Sequence, residues 1–180
     1  MIKKKRKPRN YVNNPDLYEA MCAHLELVKK AKKNKEVPPQ ASRYIGDCIV
    51  QICTRLSTKP NFFSYTWREE MIDDAIENCV KAIDNYNTKY NNPFAYFTRI
   101  AWNAMIRRIG TEKKEIYLKH KNMQLQYEMD MLSSEHGISR PGDEKSDDVI
   151  REFEEKLEAN RKKKKKALAS KKKGLEKFGD

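Results

Sequence analysis

The sequence predicts an all-α protein, a compact helical domain flanked by disordered basic N- and C-terminal tails. Three observations lead there. Apolar residues recur at helical spacing in each segment rich enough in them to fold, and no convincing strand alternation interrupts the pattern. The composition, 38% hydrophobic and 36% charged, departs from the about 45–50% and about 25% of ordinary domains, so a core can cover only part of the chain. The net charge of +12 is also gathered at the ends: residues 1–9 carry +6 and 161–173 carry +9, while the last seven carry −1, which leaves −2 for residues 10–160. Blocks of like charge repel, stay unfolded and serve as arms for polyanions.

After the basic arm at 1–10, Asn14-Pro15-Asp16 reads as a helix start, with Asn14 as N-cap and Pro15 at the first helical position. Leu17, Met21, His24, Leu25 and Val28 continue it until Val37-Pro38-Pro39 breaks the chain. Ser42 caps a second helix striped by Tyr44, Ile45, Cys48, Ile49, Ile52, Cys53 and Leu56. A short aromatic loop, Phe62, Phe63 and Tyr65, then leads to Thr66-Trp67-Arg68-Glu69, which has the spacing of a capping box. The third helix buries Met71, Ile72, Ala75, Ile76, Cys79, Val80 and Ile83 and exposes acids. A polar connection, 85–92, precedes a fourth helix starting at Asn92-Pro93, with Phe94, Phe97, Ala101, Ala104 and Met105 as its buried stripe. Gly110 weakens this helix, and Lys113–Tyr127 can resume it. The domains expected are the arm at 1–10, a helical domain at 11–128, an acidic linker at 129–146, and a helical, lysine-rich tail at 147–180.

Several function classes are disfavoured. His24, His120 and His136 have no recognisable catalytic partner pattern, and six glycines leave no phosphate-cradling loop, so neither an enzyme nor a cofactor is expected. Cys22, Cys48, Cys53 and Cys79 form no CxxC pair, and a zinc site with His24 lacks the usual spacing, so reduced thiols and no metal are expected. No stretch approaches the roughly 18 apolar residues of a membrane span. The basic start runs into polar residues, which argues against a secretory leader.

The informative feature is the adjacency of the third and fourth helices. The third exposes Glu69, Glu70, Asp73, Asp74, Glu77 and Asp84 against Lys81, although acids near a helix N-terminus also suit the dipole. The fourth carries Tyr96, Arg99, Trp102, Asn103, Arg107 and Arg108 off its buried stripe. Aromatic rings beside cations suit single-stranded nucleic acid, because rings stack on unpaired bases while cations hold phosphates. The plainer alternative is that the rings pack in the core and the arginines cap a solvated helix end.

The stretch EEMIDDAIENCVKAIDNYNTKYNNPFAYFTRIAWNAMIRRI resembles region two of bacterial sigma factors. The motifs are Ala82-Ile83-Asp84-Asn85-Tyr86, which ends the amphipathic helix, and Phe94-Ala95-Tyr96-Phe97, which opens the aromatic one. More narrowly, Tyr11–Asn14, Trp67–Ile72 and Lys89–Tyr96 resemble the late-transcription sigma factors of T-even-type bacteriophages, over about residues 11–120. The resemblance implies a sigma region-two-like fold in a non-enzymatic protein of the infected host's cytoplasm. It would bind the clamp helices of the RNA polymerase large subunit through Glu70, Asp73, Asp74, Glu77 and Asn78. It would recognise and melt an AT-rich -10-type promoter through Phe94, Tyr96, Phe97, Arg99, Trp102, Asn103, Arg107 and Arg108. It also implies dependence on a late co-activator and on the phage sliding clamp, for which Leu175 and Phe178 are the candidate anchors. One departure stands out. Primary sigma factors have two adjacent tryptophans where this chain has Ile100-Ala101, leaving Tyr96 or Trp102 as the candidate melting wedge. The alternative is a sequence-indifferent nucleic-acid-binding or scaffolding protein acting through its basic tails.

Overall fold

The computed structural model describes residues 11–133 and 144–176; the basic arm at 1–10, the segment 134–143 and residues 177–180 lie outside it. Among the described residues all regular structure is helical: α1 (Asn14–Asn34), α2 (Arg43–Ser57), α3 (Arg68–Lys81), a 3-10 turn (Ile83–Asn85), α4 (Pro93–Ser133) and α5 (Glu144–Glu176). The chain divides into two compact units, one ending at Ile109 and the other beginning at Gly110. The first unit therefore closes before the boundary expected at 128.

In the first unit the apolar stripes meet in one core. Leu17 and Met21 of α1, Ile45, Ile49 and Cys53 of α2, Met71, Ala75 and Cys79 of α3, and Phe97, Ala101 and Met105 of α4 are all fully buried. Burying a side chain of the larger kind stabilises by about 1.5–3 kcal/mol, so the stripes hold the helices together whatever their individual propensities. α2 begins as expected, with Ser42 Oγ accepting from the Ile45 N–H at 3.5 Å. α1 ends at Lys35, whose left-handed backbone (φ 57°) lets its N–H reach the carbonyls of Ala31 and Lys32.

Two helix starts differ from expectation. The N-cap of α1 is Asn13, not Asn14, and Asn13 Nδ2 donates to Asp16 Oδ2 at 2.6 Å. The capping box at Thr66 does not form: α3 starts at Arg68 with Trp67 at the cap position and no side-chain cap bond. Tertiary contacts replace it, since Arg68 Nε donates to the buried Ser57 Oγ at 3.1 Å and so ties the start of α3 to the end of α2. At the other end of α3, the buried His24 imidazole of α1 meets Asp84 at 3.1 Å.

The second unit contains the distal part of α4 and α5, which pair antiparallel. Tyr117 stacks on Phe153 with ring centroids 4.5 Å apart and 17° between planes. The Tyr117 hydroxyl donates to Glu154 at 3.1 Å, Lys121 reaches the same carboxylate at 3.5 Å, and His120 meets Ser146 at 2.9 Å. α4 runs through Gly110 without interruption and reaches Ser133, and α5 already begins at Glu144, so helix occupies both ends of the expected linker at 129–146. α5 extends through the lysine-rich tail as far as Glu176. Its helix is entered through i,i+4 pairs, Glu152 with Lys156 and Glu158 with Lys162, of the kind that favours helix.

Candidate nucleic-acid interface

The site is built on the first turns of α4, and two asparagines from distant parts of the chain hold its start. A helix leaves its first four N–H groups without intrahelical partners. Asn92 Oδ1 takes the Ala95 N–H at 3.0 Å, and Asn14 Oδ1 takes the Phe94 N–H at 3.2 Å. Asn14 Nδ2 also donates to the Asn91 carbonyl at 3.1 Å. The preceding connection is pinned in the same way, with the Tyr18 hydroxyl donating to the Thr88 carbonyl at 3.0 Å and the Tyr86 hydroxyl donating to the Tyr90 carbonyl. The paired asparagines of Tyr11–Asn14 and Asn91-Asn92-Pro93 thus meet in space.

From this anchored start, one face of α4 opens to solvent as a depression of about 630 Å³ lined by Asn92, Phe94, Ala95, Thr98, Arg99, Trp102 and Asn103. Phe94 and Trp102 form its apolar walls. Each is held by a second ring: Phe94 meets Tyr11 edge-on at 5.7 Å, and Trp102 meets the buried Phe62 edge-on at 4.7 Å. Cations stand beside these rings, with Lys59 Nζ 5.9 Å from the Trp102 ring centre and the Arg55 guanidinium 5.6 Å from that of Tyr11. Burial raises the Tyr11 hydroxyl above its ordinary pKa, partly opposed by Arg55. An open, cation-flanked trough with aromatic walls suits a planar, negatively tethered ligand such as an unpaired base.

Of the eight residues expected to contact DNA, the depression gathers Phe94, Arg99, Trp102 and Asn103. Phe97 is fully buried in the core and is not available to a ligand. Tyr96 lies off the depression: its hydroxyl donates to the Ala82 carbonyl at 2.9 Å, and its ring packs edge-on against Tyr86 and Phe97. Burial raises its hydroxyl pKa. Of the two candidate wedges, Trp102 alone therefore lines the depression. Ala101 is fully buried and Ile100 packs against the core, so both positions serve packing.

Arg107 and Arg108 turn toward α3. Arg107 Nη2 donates to Asn78 Oδ1 at 2.8 Å, and Arg108 Nη1 lies 3.5 Å from Asp74 Oδ2. This engages two residues of the expected polymerase-binding set, Asp74 and Asn78, within the fold. Glu77 pairs with Lys81, which lowers its carboxyl pKa. Glu70 and Asp73 are exposed and have no ion pair among the described residues. Leu175 falls within α5, and Phe178 lies outside the described residues. The motif reading gave no site role to Tyr11, Phe62, Lys59 or Arg55: Tyr11 and Phe62 pack on Phe94 and Trp102, Lys59 stands by Trp102, and Arg55 stands over Tyr11; the aromatic run after Lys59-Pro60 was the local signal for Phe62.

Elsewhere, the buried Cys79 thiol donates to the Phe97 carbonyl at 3.6 Å, and the neighbouring Cys53 thiol together with burial raises its pKa. Among the described residues no three His, Cys, Asp or Glu side chains gather as a metal set, and no helix is long and apolar enough to cross a membrane. Comparison with known protein families and with curated protein sequences finds no match for this chain.

Proposed function

We propose that this chain is a non-enzymatic transcription initiation factor of the phage late sigma type. In this reading it binds the host RNA polymerase core in the cytoplasm of an infected bacterium and directs it to an AT-rich -10-type promoter. The observation that carries the proposal is the gathering of Phe94, Arg99, Trp102 and Asn103 on one solvent-open face of α4, separate from the exposed acids Glu70 and Asp73 of α3. Trp102 serves as the wedge, Phe94 as the second stacking surface, and Arg99 with Lys59 as phosphate contacts. Glu70 and Asp73 carry most of the contact to a basic polymerase surface, and Asp74 and Asn78 keep α3 and α4 in register. A co-activator and the sliding clamp complete the assembly, the latter through Leu175 and Phe178.

Mixing the purified chain with bacterial core polymerase on an AT-rich -10-type promoter tests this directly. Thymines in the melted region should become permanganate-reactive, and Trp102→Ala should abolish that reactivity while leaving polymerase binding intact. Reactivity no higher than with core alone would rule the proposal out. Retention of all DNA dependence in the basic tails would favour a sequence-indifferent binder instead.

A further inference from the structure

Beyond Glu158, α5 continues as a helix to Glu176 with a composition that burial against protein does not call for. Residues 161–173 hold nine Lys or Arg and no acid. Each residue from Arg161 to Ala169 is exposed. Lys162 pairs with Glu158 at 2.8 Å, and the next acid along this helix is Glu176. The six consecutive cations Arg161–Lys166 step around a helix of 3.6 residues per turn, so they cover its whole circumference. The helix has no aromatic residue after Phe153, and its apolar residues here, Ala167, Leu168 and Ala169, form no stripe. It therefore lacks the face that a membrane surface or a protein groove would bury. Like charges at i,i+4, such as Arg161 with Lys165, also destabilise an isolated helix, so a polyanion that neutralises them would favour the helical form.

We infer that residues 161–173 of α5 form an arm that binds duplex DNA by lying in the major groove. That groove, about 12 Å wide, admits a helix and places a strand of phosphates on each side of it, which matches charge distributed all round. A single strand presents one line of phosphates and unstacked bases, and this arm has no rings for them. The major groove of an RNA duplex is too narrow and deep. The inference does not depend on polymerase, and it assigns the arm a ligand different from that of the α4 depression. Because the contacts are to phosphates, binding is indifferent to sequence and strongly salt-dependent.

The full chain should bind a short mixed-sequence duplex, measured by fluorescence anisotropy over a range of salt. Replacing Lys163, Lys164, Lys165 and Lys166 together by Gln should flatten the slope of log affinity against log salt by about 3–4, since each phosphate contact contributes roughly 0.9. Affinity at about 100 mM salt should fall more than tenfold by the same relation. The fourfold Lys→Arg variant should keep both the slope and the affinity. An unchanged slope in the Gln variant would overturn the inference. So would tighter binding to single-stranded RNA of equal length, or to phosphatidylserine vesicles, than to duplex. Permanganate reactivity with polymerase is a separate readout, so loss of one activity does not imply loss of the other.

Discussion

Replacing Asn14 by Ala tests the long-range cap that sets the start of α4. The substitution removes the acceptor for the Phe94 N–H, at 3.2 Å, and the donor to the Asn91 carbonyl, at 3.1 Å. Loss of a helix cap costs about 1 kcal/mol, and the second hydrogen bond, to the exposed Asn91 carbonyl, contributes about 0.5–1 kcal/mol. The first unit should therefore lose about 1.5–2 kcal/mol, a fall in Tm of about 6–16 °C for a domain of this size. Trp67 and Trp102 are the two tryptophans of the chain and both lie in this unit, so tryptophan fluorescence in urea follows its unfolding alone. Asn14→Asp keeps the acceptor and adds a charge that the helix dipole favours; it should recover at least half of the loss. Asn92→Ala should cost about 1 kcal/mol by removing the cap on the Ala95 N–H. A loss below about 0.3 kcal/mol for Asn14→Ala, or an Asp variant no better than Ala, would refute the idea that this side chain caps α4.

Charge reversal separates the two roles of the α3 acids. Asp73→Lys should weaken polymerase binding at least tenfold in a pull-down titration with little change in Tm, because it aims like charge at a basic partner. Asp74→Lys should also lower the Tm, because it faces Arg108 at 3.5 Å. Gly110 lies within α4, and a β-carbon there meets nothing within 4 Å, so Gly110→Ala should stabilise the helix by about 0.5–1 kcal/mol, read from thermal melting by circular dichroism. Phe178→Ala should leave basal initiation intact and remove stimulation by the sliding clamp in a transcription assay; equal loss of both would refute a tethering role.

The stripe of Tyr44 through Leu56 and that of Met71 through Ile83 identified α2 and α3 from periodicity, because burial of one face repeats every turn. The starts of these helices were legible where a local side chain does the capping, as at Ser42. They were not legible where tertiary contacts took over, as at Thr66, where Arg68 bonded to Ser57 stands in place of a capping box. The same limit governs the site. Spacing placed Phe94, Arg99, Trp102 and Asn103 on one helix, but an interval of two or three residues does not tell a wall of the depression from a core residue. Phe97 is in the core and Tyr96 hangs on Ala82. Likewise, Asp74 and Arg108 each read as exposed charges until α3 and α4 came together.

By itself, the sequence determined that the chain is helical, that its charge sits in two terminal blocks, and that an acidic helix precedes an aromatic one. Tertiary structure alone decided that Asn14 caps α4 and that Phe62 backs Trp102. It also decided that Arg107 and Arg108, both expected at DNA, each reach a side chain of α3. The physical reason is one of range. Periodicity and charge are properties of neighbours along the chain, whereas capping across 80 residues and the pairing of charges between helices depend on which surfaces the core brings together.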